Sequence, residues 1–270
     1  MTWYHYQMHV RQDWIKNTEF HPIASPKVLE QVIERCKRLV AQGRVGVVVF
    51  DLDSTLFDVS HRSFRILAEW MTHADSKDAH ETKAALGEIK PEEFQYSLQD
   101  LWELKKIPHD REPFLSHFKN AKEFWRKRFF NHDYLEHDEP AEGAVEFVKL
   151  LYELGVQIVY LTGRDIPLMG FGTFDQLKKH GLPIELPRTR LILKPKRYID
   201  DLDFKSGAAR EIMELGEVVA AFENEPKNLI AMQKVFKPET MNIFIQTVSS
   251  DHPAPAGNQI FKINHFKISD

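Results

Sequence analysis

The stretch VGVVVFDLDST, residues 45–55, decides the fold. Its first half is a valine-rich apolar run that begins shortly after Gly43, which is typical of a strand buried on both faces of a parallel sheet. The strand ends at Asp51, and Asp53 follows one residue later. Because ligands of open parallel sheets bind outside the carboxyl ends of the strands, both carboxylates are predicted to face one crevice.

The sequence on either side of this stretch alternates between helical and strand patterns. Upstream, SPKVLEQVIERCKRLVAQ has apolar residues at helical spacing and predicts a helix that ends at Gly43. After about residue 140, helical patterns alternate with the apolar runs VQIVYLTG, RTRLILK, VVAAF and MNIFIQTV, the last of which is predicted to be the final strand. This rhythm predicts an α/β fold with a doubly wound, mainly parallel sheet.

The composition changes between the first strand and the later ones. Residues 60–138 are rich in charged, aromatic and helix-favouring residues and contain almost no β-branched runs. We therefore expect an inserted helical unit at 60–138 and an α/β core formed by residues 45–59 and 139–270. Residues 1–44 are predicted to be an N-terminal helical extension packed on that core.

The bulk composition limits the possible partners. A net charge of -4, from 36 basic and 40 acidic residues, provides no positive field to gather nucleic acid or an anionic membrane. The single cysteine, Cys36, excludes an internal disulfide, and no stretch resembles an export signal or a membrane span. We expect a cytoplasmic protein whose anionic substrate is bound by a local site. Nothing in the sequence indicates the oligomeric state.

Two carboxylates one residue apart indicate metal-assisted phosphoryl chemistry. Asp51 and Asp53 would repel one another unless a cation lay between them, and Mg²⁺ is the simplest hard cation with oxygen ligands. The first carboxylate could attack phosphorus, and the second could protonate the leaving oxygen and later activate water. A surface turn or a helix cap is the alternative explanation, since Asp and Ser are common in both.

The motif Asp51-Leu52-Asp53-Ser54-Thr55 resembles the opening motif of the haloacid dehalogenase superfamily, an apolar strand followed by Asp-x-Asp-x-Thr/Val. The second aspartate marks the phosphotransfer members of that superfamily. The resemblance implies an Mg²⁺-dependent phosphomonoester hydrolase that forms an aspartyl-phosphate on Asp51 from a small phosphorylated metabolite. Asp53 would be the general acid and base, and Ser54 and Thr55 would lie at the substrate. Ser54 stands where many members have glycine.

A second motif of the superfamily, a strand that ends in Ser or Thr and is commonly followed by Gly-Arg, is matched by VQIVYL with Thr162, Gly163 and Arg164. The resemblance implies that Thr162 hydrogen-bonds a phosphoryl oxygen and that Gly163 lies at the substrate. Arg164 could hold a substrate anion through two hydrogen bonds or could pair with Asp165.

The superfamily also supplies a lysine near the start of a helix before the fourth strand, which neutralises the charge that develops on the transferring group. Lys205 has this position in the sequence, 18 residues before Glu223. Lys194 and Lys196 are the rival candidates.

The last motif of the superfamily is acidic and completes the oxygen shell of the metal. Glu223 comes directly after VVAAF and would bind Mg²⁺ together with Asp51 and the backbone carbonyl of Asp53. Most members have Asp at this position, so Glu225 is a second candidate. Asn228 occurs where another acidic residue often supports the first.

The insertion has the position of the cap that, in the superfamily, closes over the site and selects the leaving group. Its aromatic residues, Trp102, Trp125, Phe129 and Phe130, have the helical spacing of packing residues, so no substrate is inferred from them. Two other functions remain open: a phosphomutase or other phosphotransferase with the same residues, and a catalytically weak binding protein that keeps the fold.

Overall fold

A six-stranded parallel sheet forms the centre of the computed structural model, which describes residues 20–248, 250 and 260–268. The strands are β1 (Gly46–Phe50), β2 (Phe57–Asp58), β3 (Glu139–Pro140), β4 (Gln157–Asp165), β5 (Thr189–Lys194), β6 (Glu217–Glu223), β7 (Met241–Ile245) and β8 (Ile260–Ile263). The helices are α1 (Ser25–Ala41), α2 (Ser60–Thr72), α3 (His80–Leu86), α4 (Leu98–Leu104), α5 (Phe114–Phe129), α6 (Ala144–Glu153), α7 (Ile166–Lys179), α8 (Asp201–Ile212) and α9 (Pro226–Val235).

The order of the large sheet is β5-β4-β1-β6-β7-β8, and every neighbouring pair is parallel. All five residues of β1 are buried, and its side chains point alternately to the two faces. Val48 and Phe50 join the hydrophobic cluster that contains α1 and α6, whereas Val47 and Val49 join the cluster that contains α8 and α9. The predicted doubly wound parallel sheet is therefore confirmed.

The prediction that MNIFIQTV is the final strand is wrong. A further strand, β8, pairs in parallel with β7, with Asn242 opposite Ile260 and Ile245 opposite Ile263. β8 has only four residues and lies at the edge of the sheet. A run of this length has too little periodicity to be distinguished from a loop in the sequence.

The helical insertion begins and ends at a small antiparallel ribbon. Phe57 of β2 lies opposite Pro140 of β3, so the chain leaves the core and returns to it at one place. The four helices between these strands, α2 to α5, pack around a hydrophobic cluster of their own that includes Trp70 and Trp102. We use the name helical insert for residues 60–138. That this unit is a cap domain remains a prediction.

The N-terminal helix α1 packs on the core through Val28, Leu29, Val32 and Cys36, which are fully buried. Burial raises the pKa of the Cys36 thiol to about 12, so this cysteine is a packing residue and not a nucleophile. The predicted extension also includes residues 1–19, which lie outside the described residues. Within the described part of the chain, none of the helices is both long enough and apolar enough to cross a membrane.

The turn before α6 requires glycine at position 143. Gly143 has a φ of +77°, and a Cβ there would lie 2.7 Å from the backbone N of Lys267. We expect Gly143→Ala to lower the free energy of unfolding by about 2 to 4 kcal/mol, because left-handed strain adds to the overpacking. Urea denaturation followed by circular dichroism measures the change.

The matched control for this prediction is Gly207→Ala in helix α8. A Cβ at position 207 meets nothing within 4 Å, so this change is expected to raise stability by about 0.5 to 1 kcal/mol through helix propensity. Equal effects of the two substitutions would contradict the account of Gly143.

Candidate active site

The carboxyl ends of the central strands and the helical insert enclose a cavity of ≈490 Å³. Asp51 directly follows β1, Arg164 lies near the end of β4, and Glu223 is the last residue of β6. Lys205 lies in the second turn of α8. These side chains line the same cavity, as expected for the crevice outside the carboxyl ends of parallel strands.

Lys205 lies between two carboxylates. Its Nζ donates to Oδ1 of Asp51 at 2.6 Å and to Oε2 of Glu223 at 2.6 Å. Lys205 is only 2% exposed, and both carboxylates are buried as well. The ammonium group therefore holds these two carboxylates together at the base of the cavity.

The two rival lysines have other surroundings. Lys194 Nζ donates to Oδ1 of Asp201 at 2.6 Å and to the carbonyl oxygen of Ile199 at 3.2 Å, and Lys196 is exposed. Lys194 also lines the cavity, but its ammonium group donates to Asp201 and to the carbonyl oxygens of Arg197 and Ile199. The geometry therefore favours Lys205 as the cation beside the predicted nucleophile.

Burial dominates the electrostatics around Lys205. It raises the pKa of Asp51, an effect that the Lys205 charge only partly offsets. Burial and the charge of Asp51 raise the pKa of Glu223 to about 8. Burial would lower the pKa of Lys205, but the two carboxylates hold it above its ordinary value. When both carboxylates and the ammonium are ionised, the three groups carry one net negative charge, so a further cation would favour the ionised carboxylates and an anionic phosphoryl group beside them.

The residues at this position fit a hard divalent cation such as Mg²⁺. Asp51 and Glu223 supply carboxylate oxygens, and Asn228 lines the same cavity with a buried Oδ1 that has no hydrogen-bond partner among the described residues. The described residues contain no cluster of three or more His, Cys, Asp or Glu side chains able to hold a metal. Mg²⁺ is commonly held by one or two carboxylates, with waters completing its shell, so two carboxylates and an amide oxygen are sufficient.

Glu225, the second candidate for the metal, is engaged elsewhere. Its side chain accepts hydrogen bonds from the backbone N–H of Ser250 at 3.1 Å and from the Ser250 hydroxyl. Its own backbone N–H donates to Oε1 of Glu223 at 3.0 Å. Glu225 therefore orients Glu223 through the main chain.

Two arginines hold the carboxylate of Asp53. Oδ1 accepts from Arg62 Nη2 at 2.6 Å and from Arg164 Nη2 at 2.8 Å, and Oδ2 accepts from Arg164 Nε at 3.0 Å. Burial would raise the pKa of Asp53, but the charges of Arg164 and Arg62 overcome it and hold this pKa well below its usual range. Asp53 is therefore ionised in this arrangement, which we call the arginine clamp.

The arginine clamp rests on a second, fully buried carboxylate. Asp138 accepts from Nε of Arg62 at 2.7 Å and from Nη2 of Arg164 at 3.0 Å. Gln176 of α7 joins both groups, since its Oε1 accepts from Arg164 Nη1 at 2.7 Å and its Nε2 donates to Asp138 at 2.9 Å. Arg62, Asp138 and Gln176 were not among the candidates from the sequence.

The contacts of Arg164 match neither of the two roles expected from the sequence, binding of a substrate anion or pairing with Asp165. Arg164 does not pair with Asp165, whose side chain instead caps α7 by accepting from the backbone N–H of Leu168 at 2.9 Å. Its guanidinium nitrogens donate to Asp53, Asp138, Gln176 and Thr173. Direct binding of a substrate anion by Arg164 would therefore displace protein partners.

The remaining predicted substrate contacts divide into two groups. Ser54 and Gly163 line the cavity, and Ser54 has a φ of 58°, the left-handed conformation that explains why many relatives have glycine there. Thr55 and Thr162 are fully buried and do not line the cavity. The Thr55 hydroxyl donates to Asn224 at 3.1 Å, and the Thr162 oxygen accepts from the backbone N–H of Arg164 at 3.2 Å. Their predicted contacts with substrate require movement of the protein.

The haloacid dehalogenase-like hydrolase family model matches residues 45–199, and the chain belongs to this family. The resemblance of its sequence motifs to the superfamily is thereby confirmed, as is the prediction that it is a hydrolase. No curated protein sequence matches the chain.

Several solved structures are similar to the chain at low sequence identity. A predicted phosphoglycolate phosphatase from Haemophilus somnus is 11% identical, with a TM-score of 0.51 over 82% of this chain and 95% of the other. A predicted phosphatase from Clostridium acetobutylicum is 13% identical, with a TM-score of 0.49 over 82% and 94% of the two chains. A HAD-superfamily hydrolase from Ehrlichia chaffeensis is 11% identical, with a TM-score of 0.45 over 83% and 93%. The similarity to the Haemophilus somnus structure supports the α/β fold and nothing beyond the fold.

Proposed function

We propose that the protein is an Mg²⁺-dependent phosphomonoesterase that acts on a small phosphorylated substrate through an aspartyl-phosphate on Asp51. The observation that carries this proposal is the position of Lys205, whose Nζ lies 2.6 Å from both Asp51 and Glu223 at the base of a cavity that Asp53 also lines. A nucleophile, a fixed cation and a second carboxylate are the groups that phosphoryl transfer through a covalent intermediate needs.

In the first half of the reaction, a carboxylate oxygen of Asp51 attacks phosphorus and the bond from phosphorus to the ester oxygen breaks. Asp53, when it carries a proton, donates that proton to the departing oxygen, which leaves as an alcohol. The Lys205 ammonium neutralises negative charge on the transferring group and on Asp51.

In the second half, water attacks the phosphorus of the aspartyl-phosphate. Asp53, now ionised, accepts a proton from this water, and the bond from phosphorus to Asp51 breaks. Inorganic phosphate leaves and the Asp51 carboxylate is restored. The low pKa that the arginine clamp gives Asp53 favours its ionised form, which suits this half of the reaction.

Asp51, Glu223 and the backbone carbonyl of Asp53 would hold Mg²⁺, and the Asn228 amide oxygen would add a further contact. When bound, Mg²⁺ supplies positive charge that stabilises the transferring phosphoryl group. The protein must also keep Asp51 aligned with the phosphate ester. The hydrogen bonds that Lys205 donates to Asp51 and Glu223 support this alignment.

The experiment that tests the proposal is phosphate release from a panel of phosphomonoesters by the purified protein, with Mg²⁺ and with a chelator. We expect turnover with Mg²⁺ and its loss with the chelator. If no ester released phosphate under either condition, the phosphatase proposal would be rejected in favour of phosphotransfer or of a binding function.

A substitution at Asp53 tests its role as acid and base. We expect Asp53→Asn to reduce kcat about 10²- to 10⁴-fold for an alkyl phosphate, whose leaving oxygen needs a proton. The loss should be smaller for p-nitrophenyl phosphate in single-turnover measurements of the first half, because its leaving group departs without protonation. Equal losses for both esters would contradict proton donation by Asp53.

A further inference from the structure

The part of the cavity wall that the helical insert contributes carries four aromatic side chains. Tyr96, Trp125, Phe129 and Phe130 all line the cavity that contains Asp51. The last three are partly exposed, in contrast to the fully buried Trp70 and Trp102 of the insert core. The spacing along α5 predicts packing residues, but these rings border the space in which a leaving group must lie.

The rings have a defined arrangement. Trp125 and Phe129 stack with centroids 4.3 Å apart and an interplanar angle of 26°, and Phe130 meets Phe129 edge-on at 5.1 Å. Arg62 lies 4.4 Å from the centroid of Phe129, and Arg197 lies 4.5 Å from that of Phe130. Trp125 has one stacked partner, and no cation lies over its ring among the described residues. Trp125 also packs against the core of the helical insert, so the part of its indole that borders the cavity is the surface that a substrate ring can use.

Two polar side chains of the same wall have internal partners, whereas two others, Gln95 and Lys122, are exposed. Ser63 accepts from Trp125 Nε1 at 3.1 Å, which also fixes the orientation of the indole ring. The Ser97 hydroxyl donates to Asp100 at 3.1 Å. Because both serines are already engaged, a sugar placed against Trp125 would find few partners for its hydroxyls, and unpaired hydroxyls are costly to bury.

We propose that the leaving group of the substrate carries an aromatic ring, which stacks on Trp125. This inference rests on the proposed phosphatase function and assigns its substrate class as an aromatic phosphomonoester. The phosphoryl group lies beside Asp51 and Lys205, and the ring extends toward the helical insert. Ring stacking and apolar burial contribute the binding free energy of this subsite.

The test compares 2-phenylethyl phosphate with 2-cyclohexylethyl phosphate. Both esters release a primary alcohol of similar reactivity, so a difference between them reports on the ring and not on the leaving oxygen. We expect KM to be about 3- to 10-fold lower for the phenyl ester, and we expect Trp125→Leu to remove this difference. Phe171→Leu, which alters an exposed ring that does not line the cavity, is the matched control and should preserve it.

A binding measurement separates this proposal from the phosphatase function. Calorimetric titration of the Asp51→Asn protein with each ester should give the same preference for the phenyl ring without turnover. Equal affinities of the Asp51→Asn protein for the two esters would overturn the aromatic subsite, whether or not Trp125→Leu folds. Ring-dependent binding without phosphate release from any ester would support the subsite and reject the phosphatase function.

Discussion

Replacement of Asp51 by asparagine is expected to reduce phosphate release about 10³-fold or more. The amide cannot act as the attacking group, and the remaining side chains cannot form an alternative covalent intermediate. The effect should be on kcat, since Lys205 and the cavity walls that bind the substrate remain. Steady-state phosphate release from the best ester of the panel measures it.

The matched control for Asp51 is Asp175→Asn, which changes an exposed carboxylate in α7. This protein should retain the activity and the stability of the unsubstituted protein. Trapping with radiolabelled ester provides a second readout, since label on the denatured protein should require Asp51. Activity that survived in Asp51→Asn would show that another residue is the nucleophile.

Lys205→Met is expected to be the most destabilising substitution at the site and also to impair catalysis. Methionine fills a similar volume but leaves Asp51 and Glu223 buried without their shared cation. Removal of one partner of a buried ion pair costs about 3 to 5 kcal/mol. We expect this loss in urea denaturation of the metal-free protein and a reduction of kcat of about 10²-fold or more with Mg²⁺.

The comparison for Lys205 is Lys194→Met. The partner of Lys194 is Asp201, whose side chain is 44% exposed, so solvent can replace the lost ammonium group. We expect this substitution to cost less than about 1 kcal/mol of stability. A larger loss of stability and activity from Lys194→Met than from Lys205→Met would reverse the assignment of the lysine.

The central sheet could be predicted because its strands carry their own signals. All five residues of β1 are apolar and buried, and such a run is compatible with few structures other than an interior strand. The positions of Asp51 and Glu223 follow from the same pattern, since each comes at the carboxyl end of a buried strand. For the lysine, the sequence only favoured Lys205 over Lys194 and Lys196. The position of a lysine relative to a helix does not determine whether its ammonium group contacts a carboxylate in the folded protein.

The arginine clamp could not be assembled from the sequence, because its members come from distant segments. Arg62 and Asp138 are 76 residues apart and meet at 2.7 Å. One local signal was present: Arg62 lies on the same helical face as Ile66 and Trp70, both of which are buried. A charged residue on a buried stripe requires a buried partner. Asp138, in the segment HDEP, has no comparable signal.

The arginine clamp ties the two ends of the helical insert to the carboxylate of Asp53. Arg62 lies in the first turn of α2, just after the chain leaves β2, and Asp138 immediately precedes β3. A displacement of the insert that withdraws Arg62 removes one of the three guanidinium donors from Asp53 and raises its proton affinity. The position of the helical insert and the proton affinity of Asp53 are therefore linked through Arg62.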